Sequence, residues 1–155
     1  MKVRKYNEGE EMILWNIFYN TIHKVNSKDY DTNQISSWAP SDLDNDIWID
    51  KIRSINPFVV EHKNMILGYA DLQESGLIDH FFSHHEWQRK GVGSMLMNAI
   101  IDNAKLRGIT TLSSEVSVTA KPFYLSYGFT VVKEQSLFVR GQYLTNYKMQ
   151  KEVVF

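Results

Sequence analysis

The spacing of apolar residues divides the first part of the chain into strands and helices. Residues 2–6 alternate between polar and apolar side chains, which predicts a strand. Asn7 and Glu10 have the spacing of a capping box, so a helix is expected to follow them. One face of that helix carries the apolar set Leu14, Ile17, Phe18, Thr21, Ile22 and Val25. Residues 26–40 are polar and irregular, which predicts a loop or a short helical turn.

A second helix and a hairpin are predicted next. Residues 42–53 have helical periodicity behind Ser41, which has the right side chain for an N-cap. Their apolar side consists of Leu43, Ile47, Trp48 and Ile52. Residues 58–61 and 65–72 are apolar runs separated by a polar turn, a pattern typical of an antiparallel hairpin.

The pattern changes to strand, helix, strand in the second half of the chain. Residues 77–83 read as one strand, a helix runs from Gly91 to a C-cap at Gly108, and residues 110–117 read as another strand. Short links between these elements predict a βαβ unit and thus a parallel pair of strands. A short helix over residues 120–127 follows, and the last strands lie at 129–134 and 136–149, with a break at Arg140-Gly141.

The loop before the second-half helix has the chemistry of an anion site. Gly91 and Gly93 allow the main chain to approach a ligand closely, and the first helical turn aims unpaired N–H groups at the same place. Arg89 and Lys90 add positive charge. The glycine spacing matches neither a P-loop nor a dinucleotide fingerprint, which requires a third glycine where Leu96 stands. The loop therefore predicts a pyrophosphate ligand of another kind.

Composition narrows the class of protein. The 155 residues fit a single domain, residues 1–155, with a proper core. The net charge of −1 does not favour nucleic acid or an anionic membrane as partner. The first residues form a charged strand and no apolar run is long enough to span a membrane, so we expect a cytoplasmic protein. The absence of cysteine excludes a cysteinyl intermediate, disulfides and thiolate metal sites.

Two motifs together resemble those of the GNAT superfamily of N-acetyltransferases. The first is Gln88-x-x-Gly91-x-Gly93 between a strand and a helix, and the second is Ala120-x-x-Phe123-Tyr124-x-x-x-Gly128-Phe129. The order of elements agrees over nearly the whole chain, and softer patterns are similar to small bacterial members of unassigned substrate. The resemblance implies an α/β (α+β) fold with a mixed, mostly antiparallel twisted sheet of about six to seven strands, a splayed parallel pair and about four flanking helices.

The resemblance also implies acetyl-CoA as co-substrate and assigns residues to it. The main chain of Phe81, Phe82 and Ser83 would contact the pantetheine arm. The pyrophosphate would lie on the loop, whose residues are Gln88, Arg89, Lys90, Gly91, Val92, Gly93 and Ser94. Ser117 stands where many members have an asparagine that contacts pantetheine, so a shorter and weaker contact is expected there.

The resemblance also suggests which residues are catalytic. Tyr124 occupies the position of a tyrosine that donates to the departing CoA sulfur, which suits a neutral O–H. Many members carry a glutamate as general base at the position of Leu112, so the base is unassigned here. Asp79 and Glu115 are the candidates, because the attacking amine must lose a proton.

The early helices would cover the acceptor, and this suggests His23, Tyr30 and Trp38 as its contacts. The expected reaction is transfer of acetyl to a primary amine of a small molecule in a ternary complex, with a homodimer possible. The alternatives are a non-catalytic acyl-CoA-binding or regulatory module and a peptide or protein N-terminal acetyltransferase.

Three histidines, His80, His84 and His85, suggest a zinc site. Adjacent histidines on an extended chain point to opposite faces, however, so no metal is expected.

Overall fold

The computed structural model describes all residues from Met1 to Phe155. Its strands are β1 (Lys2–Lys5), β2 (Phe58–His62), β3 (Met65–Ala70), β4 (Leu77–Ile78), β5 (Phe81–Ser83), β6 (Thr111–Ser117), β7 (Thr130–Val139) and β8 (Gln142–Glu152). Its α-helices are α1 (Glu11–Lys24), α2 (Thr32–Trp38), α3 (Asn45–Ile55), α4 (Val92–Leu106) and α5 (Lys121–Ser126). A single turn of 3₁₀ helix, Asn26–Lys28, links α1 to α2. None of these helices has both the length and the apolar character needed to cross a bilayer.

The strands form two four-stranded sheets. The first has the order β1-β2-β3-β5 and is antiparallel throughout. The second has the order β4-β6-β8-β7 and contains one parallel pair, β4 with β6. The mixed α+β class and the parallel pair expected from the sequence are confirmed, with the strands divided between two sheets.

The largest difference from the sequence prediction lies at residues 77–83. In place of one strand, the structure has β4 and β5 in different sheets. Leu77 lies beside Ser113 of β6, whereas Phe81 lies opposite Ala70 of β3. Asp79 and His80 stand between the two strands. The chain therefore leaves one sheet and joins the other within these few residues, and the two sheets separate at that point.

Two clusters of buried side chains lie on opposite faces of the first sheet. Val60 and Leu67 belong to the cluster that also contains the buried face of α4. Val59 and Tyr69 belong to the cluster that contains α1, α2 and α3. This division follows from strand geometry, because successive side chains point to opposite faces. Gly68 allows α4 to lie close to β3, since a Cβ there would be 2.7 Å from a methyl group of Val92.

Two helix starts and one complete helix differ from the sequence predictions. Helix α1 begins at Glu11 and not directly after Asn7: Glu10 accepts from the N–H of Asn7, as in a capping box, but the side chain of Asn7 forms no hydrogen bond that would cap the helix. Helix α3 begins at Asn45 with Asp44 as its N-cap, and Ile47 on this helix is 59% exposed rather than buried. Helix α2 falls within the segment that was expected to be a loop or a short turn.

Candidate active site

A cavity of about 1170 Å³ lies where the two sheets separate, between β5 and β6. Both strands contribute side chains to its walls, and the start of α4 closes one end. The linker after α1, together with α2, lies at the other end beside β7 and β8. The cavity is thus built from segments spread over most of the chain.

The glycine loop lies at the α4 end of the cavity. Helix α4 begins after Gly91, which has a φ of 87° and offers no side-chain cap, so the first N–H groups of the helix have no side-chain acceptor. Arg89 also has a left-handed φ, 59°, and its side chain lines the cavity. A left-handed conformation is unusual for a residue with a Cβ. The geometry therefore matches a pyrophosphate site at a helix N-terminus.

The free edge of β5 also faces the cavity. The N–H of Asp71 donates to the carbonyl of His80, and that of His84 donates to the carbonyl of Leu67, so the ladder bonds to β3 recur at alternate residues. By this alternation the N–H groups of Phe81 and Ser83 point away from β3. The carbonyl of Ser83 already accepts from Thr21 Oγ1 at 2.8 Å and from Gln88 Nε2 at 2.9 Å. This leaves the main chain of Phe81 and the N–H of Ser83 as the edge groups that are free to meet a ligand.

Tyr124 lies deep in the same cavity on α5. It is 2% exposed, and its hydroxyl is 3.4 Å from Ser114 Oγ, which donates to the carbonyl of Ile78 at 2.8 Å. Burial raises the pKa of the Tyr124 hydroxyl above its usual value. The group is therefore neutral at physiological pH and able to donate a hydrogen bond to an anion such as a thiolate.

The two carboxylates expected as candidate bases both line the cavity, in different states. Asp79 forms an ion pair with Lys51 of α3. Glu115 is exposed and lies opposite Lys148 in the β6–β8 ladder, with neither a hydrogen bond nor an ion pair to its side chain. The carboxylate of Asp79 is thus paired, whereas that of Glu115 has no partner within the protein.

His80 was not recognised from the sequence as part of the site. Its ring packs against Phe18, Trp48 and Phe82, its Nδ1 is 2.9 Å from the Tyr69 hydroxyl, and it lines the cavity. Burial lowers the pKa of His80 to about 4, so the imidazole is neutral at physiological pH. No sequence signal could have revealed this, because the environment comes from α1, α3 and β3.

Asp71 is a second residue that sequence reasoning missed. It follows β3 directly and is fully buried. Its carboxylate accepts from the N–H groups of Asp79 and His80 at 2.9 and 2.7 Å. Burial raises the pKa of this carboxyl, against the effect of these hydrogen bonds.

The end of the cavity where the acceptor was expected differs from the sequence expectation in one residue. Trp38 lines it, with its ring edge-to-face with Tyr30 at 5.5 Å. The Tyr30 hydroxyl donates to the carbonyl of Thr145 at 2.6 Å and accepts from the N–H of Val118 at 2.9 Å. His23 does not reach the cavity, because its ring stacks on Tyr19 and its Nε2 lies 2.8 Å from the carbonyl of Ala39.

Most of the residues expected in the site line this one cavity. They are Asp79, Phe81, Phe82, Ser83, Gln88, Arg89, Gly91, Gly93, Ser94, Glu115, Ser117 and Tyr124, with Tyr30 and Trp38 at the end beside α2. Lys90 and Val92 lie outside it; Val92 is buried in the core and Lys90 packs over the ring of Trp87. Ser117 Oγ accepts from the N–H of Ala120 at 3.0 Å, so it serves the start of α5.

The histidines next to the loop are arranged differently from the expectation for an extended chain. The rings of His84 and His85 stack at 4.6 Å with an angle of 17°, and their ligand atoms lie within 4.8 Å of one another and of Glu86. The nitrogen lone pairs of an imidazole lie in the plane of the ring, and two stacked, nearly parallel planes do not meet at one nearby point, which does not suit a common tetrahedral ion. His84 Nδ1 also accepts from the N–H of Glu86 at 3.0 Å.

Residues 26–151 match the family model described as an acetyltransferase (GNAT) domain. The uncharacterized N-acetyltransferase YafP of Escherichia coli (strain K12) is 31% identical over 150 residues, which is 97% of this chain and 95% of that protein. The chain belongs to the GNAT acetyltransferase family. The sequence-based expectation of an acetyl-CoA-dependent acetyltransferase is thereby confirmed.

Solved structures agree with this fold. A GCN5-related N-acetyltransferase from Rhodopseudomonas palustris has a TM-score of 0.93 at 22% identity, covering 97% of this chain and 94% of that one. The putative acetyltransferase yncA from Salmonella typhimurium, solved with its cofactor acetyl-CoA, has a TM-score of 0.67 at 19% identity, covering 100% of this chain and 95% of that one.

Proposed function

We propose that this protein transfers acetyl from acetyl-CoA to a primary amine of a small molecule, by direct attack within a ternary complex. The observation that carries the proposal is that one cavity joins the glycine loop, the free edge of β5 and the Tyr124 hydroxyl to an end lined by Trp38. The yncA structure was solved with acetyl-CoA, which supports the same co-substrate here. Acetyl-CoA is a cytoplasmic metabolite, so the proposal places the protein in the cytoplasm.

The pyrophosphate would lie against the N–H groups at the start of α4, beside Arg89. The pantetheine arm would follow the free edge of β5, in the manner of an added strand. This places the thioester near Phe81 and Tyr124, whose rings are 5.8 Å apart. The role of the scaffold is mainly to orient the two reactants.

The reaction forms a C–N bond and breaks the C–S bond of the thioester. The amine nitrogen attacks the acetyl carbon, and the Phe81 N–H stabilises the oxygen that becomes negative. As the tetrahedral intermediate collapses, Tyr124 gives its proton to the departing thiolate. Glu115 or Asp79 removes a proton from the substrate nitrogen, so that the products are an amide and neutral CoA thiol. The proton that the base takes from the nitrogen then returns to Tyr124 through solvent, so that both groups regain their starting state. The Glu115 carboxylate is the preferred base, since Asp79 is paired with Lys51.

The first experiment is isothermal titration with acetyl-CoA, with free CoA and NAD as controls. Micromolar binding of acetyl-CoA and none of NAD is expected. A mass-spectrometric screen of small amines and short peptides follows, in which an acetylated small amine is the expected product. Binding without any acetylated product would favour a non-catalytic acyl-CoA-binding or regulatory module.

Two finer points depend on the same preparation. Acetylation of peptide N-termini in preference to small amines would favour an N-terminal acetyltransferase. Light scattering tests the homodimer, for which the exposed aromatic pair Phe138 and Tyr143 on the β7–β8 hairpin offers an apolar contact surface.

A further inference from the structure

The Asp71 carboxylate is bound chiefly by main-chain groups. It is fully buried, it forms no ion pair, and one oxygen, Oδ1, accepts from the N–H groups of both Asp79 and His80. The other oxygen, Oδ2, accepts from Gln73 Nε2 at 3.2 Å. Asp71 lines no part of the cavity, so its contribution to the site would have to act through the residues it binds.

These hydrogen bonds lie at a β-bulge. The N–H of Asp71 donates to the carbonyl of His80, and the N–H of Gln73 donates to the carbonyl of Leu77. The stretch from Leu77 to His80 is therefore one residue longer than the stretch from Asp71 to Gln73 that it faces. An extra residue in one strand of an antiparallel pair defines a bulge, and it leaves main-chain groups without their ladder partners.

The carboxylate satisfies the groups that the bulge would otherwise leave unpaired. In a regular ladder the His80 N–H would donate to the main-chain carbonyl of Asp71. It donates instead to the side chain of the same residue, which also accepts from Asp79. A carboxylate oxygen can accept two such bonds, whereas an apolar side chain of the same size can accept none.

The bulge decides how the cavity is built. It lets Leu77 and Ile78 pair with β6 while Phe81 to Ser83 stay paired with β3. It also fixes which N–H groups of β5 face the cavity, because a shift of one residue would exchange the two edges of the strand. The direction of the Phe81 N–H thus depends on a contact outside the cavity.

We propose that Asp71 is a positioning residue for acetyl transfer: its carboxylate holds the bulge at Asp79 and His80, and thereby directs the Phe81 N–H toward the thioester. The inference rests on the proposed function for its catalytic part. Its structural part, that the carboxylate holds the bulge, rests on the hydrogen-bond pattern alone.

The test compares Asp71→Asn with Asp71→Ala, and uses Gln73→Ala as a matched control that leaves both bonds to Oδ1. The asparagine keeps an acceptor oxygen, so its kcat and the amide exchange of Asp79 and His80 should stay within about threefold of wild type. In Asp71→Ala these two amides should exchange at least about tenfold faster, and kcat should fall at least about tenfold. Amides in the middle of α4 should keep their protection, which separates the effect from global destabilisation.

The proposal is overturned if Asp71→Ala keeps the wild-type kcat, or if Asp71→Asn is as impaired as Asp71→Ala. Should the alanine variant not fold, Asp71→Ser takes its place, because its short side chain cannot reach both N–H groups. If the wild-type protein acetylates no amine, the proposed function fails while the exchange experiment still decides the structural part: unchanged exchange at Asp79 and His80 in the alanine variant would contradict it.

Discussion

At the scale of single residues, Tyr124 is the sharpest test of the chemistry. Replacing Tyr124 by Phe should lower kcat by at least about 100-fold, because the leaving thiolate loses its proton donor. The Kd for acetyl-CoA, measured by titration, should stay nearly unchanged. The hydroxyl contacts only Ser114, at 3.4 Å, so little stability should be lost.

Tyr127→Phe is the matched control, since Tyr127 belongs to the same helical region but does not line the cavity. It should turn over at the wild-type rate. A Tyr124→Phe enzyme with undiminished kcat would show that the thiolate is protonated by another group.

The two carboxylates give a second prediction. Glu115→Gln should lower kcat/KM about tenfold to 100-fold, because the amide cannot accept a proton from the substrate amine. Asp79→Asn should have a smaller effect, since the Asp79 carboxylate is paired with Lys51. Initial rates as a function of pH provide the measurement, and a larger loss in Asp79→Asn than in Glu115→Gln would reverse the assignment.

At the scale of elements, the two ends of α4 offer a matched comparison. Gly91 and Gly108 have φ values of 87° and 69°, and a Cβ at either would meet no atom within 4 Å. Alanine at each position should therefore lower the free energy of unfolding by a similar amount, about 1–2 kcal/mol. This is the cost of holding a residue with a Cβ in the left-handed conformation, and no steric clash adds to it. Only Gly91→Ala should also weaken acetyl-CoA binding, by about five- to tenfold, because it disturbs the N–H groups at the anion site.

Chemical denaturation and isothermal titration of both variants provide the measurements. Equal acetyl-CoA affinities in the two variants would mean that the start of α4 does not bind the pyrophosphate.

Elements whose cause is local could be predicted from the sequence. The apolar face of α1, the β2–β3 hairpin and the glycine loop before α4 all follow from periodicity or turn chemistry within a few residues. Helix α2 also had a local signal, since Asp31 and Gln34 form a capping box inside the polar segment. The start of α3 was misplaced because Ser41 and Asp44 both have side chains suited to an N-cap.

Features that depend on distant residues could not be predicted. Residues 77–83 were predicted to form one strand, because the hydrogen bonds that divide them come from Asp71 in another segment. The position of His23 likewise depends on Tyr19 and on the end of α2. The two sequence motifs predicted which residues line the cavity. The environments of its candidate proton donors and acceptors could not be predicted in this way, because they depend on tertiary contacts.

At the scale of the whole molecule, Arg4 of β1 forms ion pairs with the start of α1 and with β2. It donates to Glu10 at 2.8 and 3.0 Å and to Glu61 of β2 at 3.0 Å. The hydrogen bonds from Arg4 hold the pKa of Glu10 below its usual value. A carboxyl whose pKa is depressed on folding contributes stability above its unfolded pKa, and this is lost as the pH falls through the folded pKa.

Replacing Arg4 by Met should therefore lower the free energy of unfolding by about 1–3 kcal/mol at pH 7. The difference from wild type should shrink at pH 3, where the carboxyls become protonated in either protein. Urea denaturation at both pH values is the measurement, with Arg53→Met as control because Arg53 is exposed and forms no ion pair. An unchanged difference at pH 3 would argue that Arg4 acts through packing.

The bulge between β4 and β5 also determines which changes in chain length this family member can accept. Deleting Asp79 or His80 would force β4 to shift along β6, or β5 to shift along β3, by one residue, and the side chains of the shifted strand would turn to the opposite faces of its sheet. Most substitutions there would keep the pairing. Insertions and deletions among close relatives should therefore be absent from residues 77–83. When such sequences are aligned, a gap in this segment is a sign that the alignment, rather than the protein, has slipped by one residue.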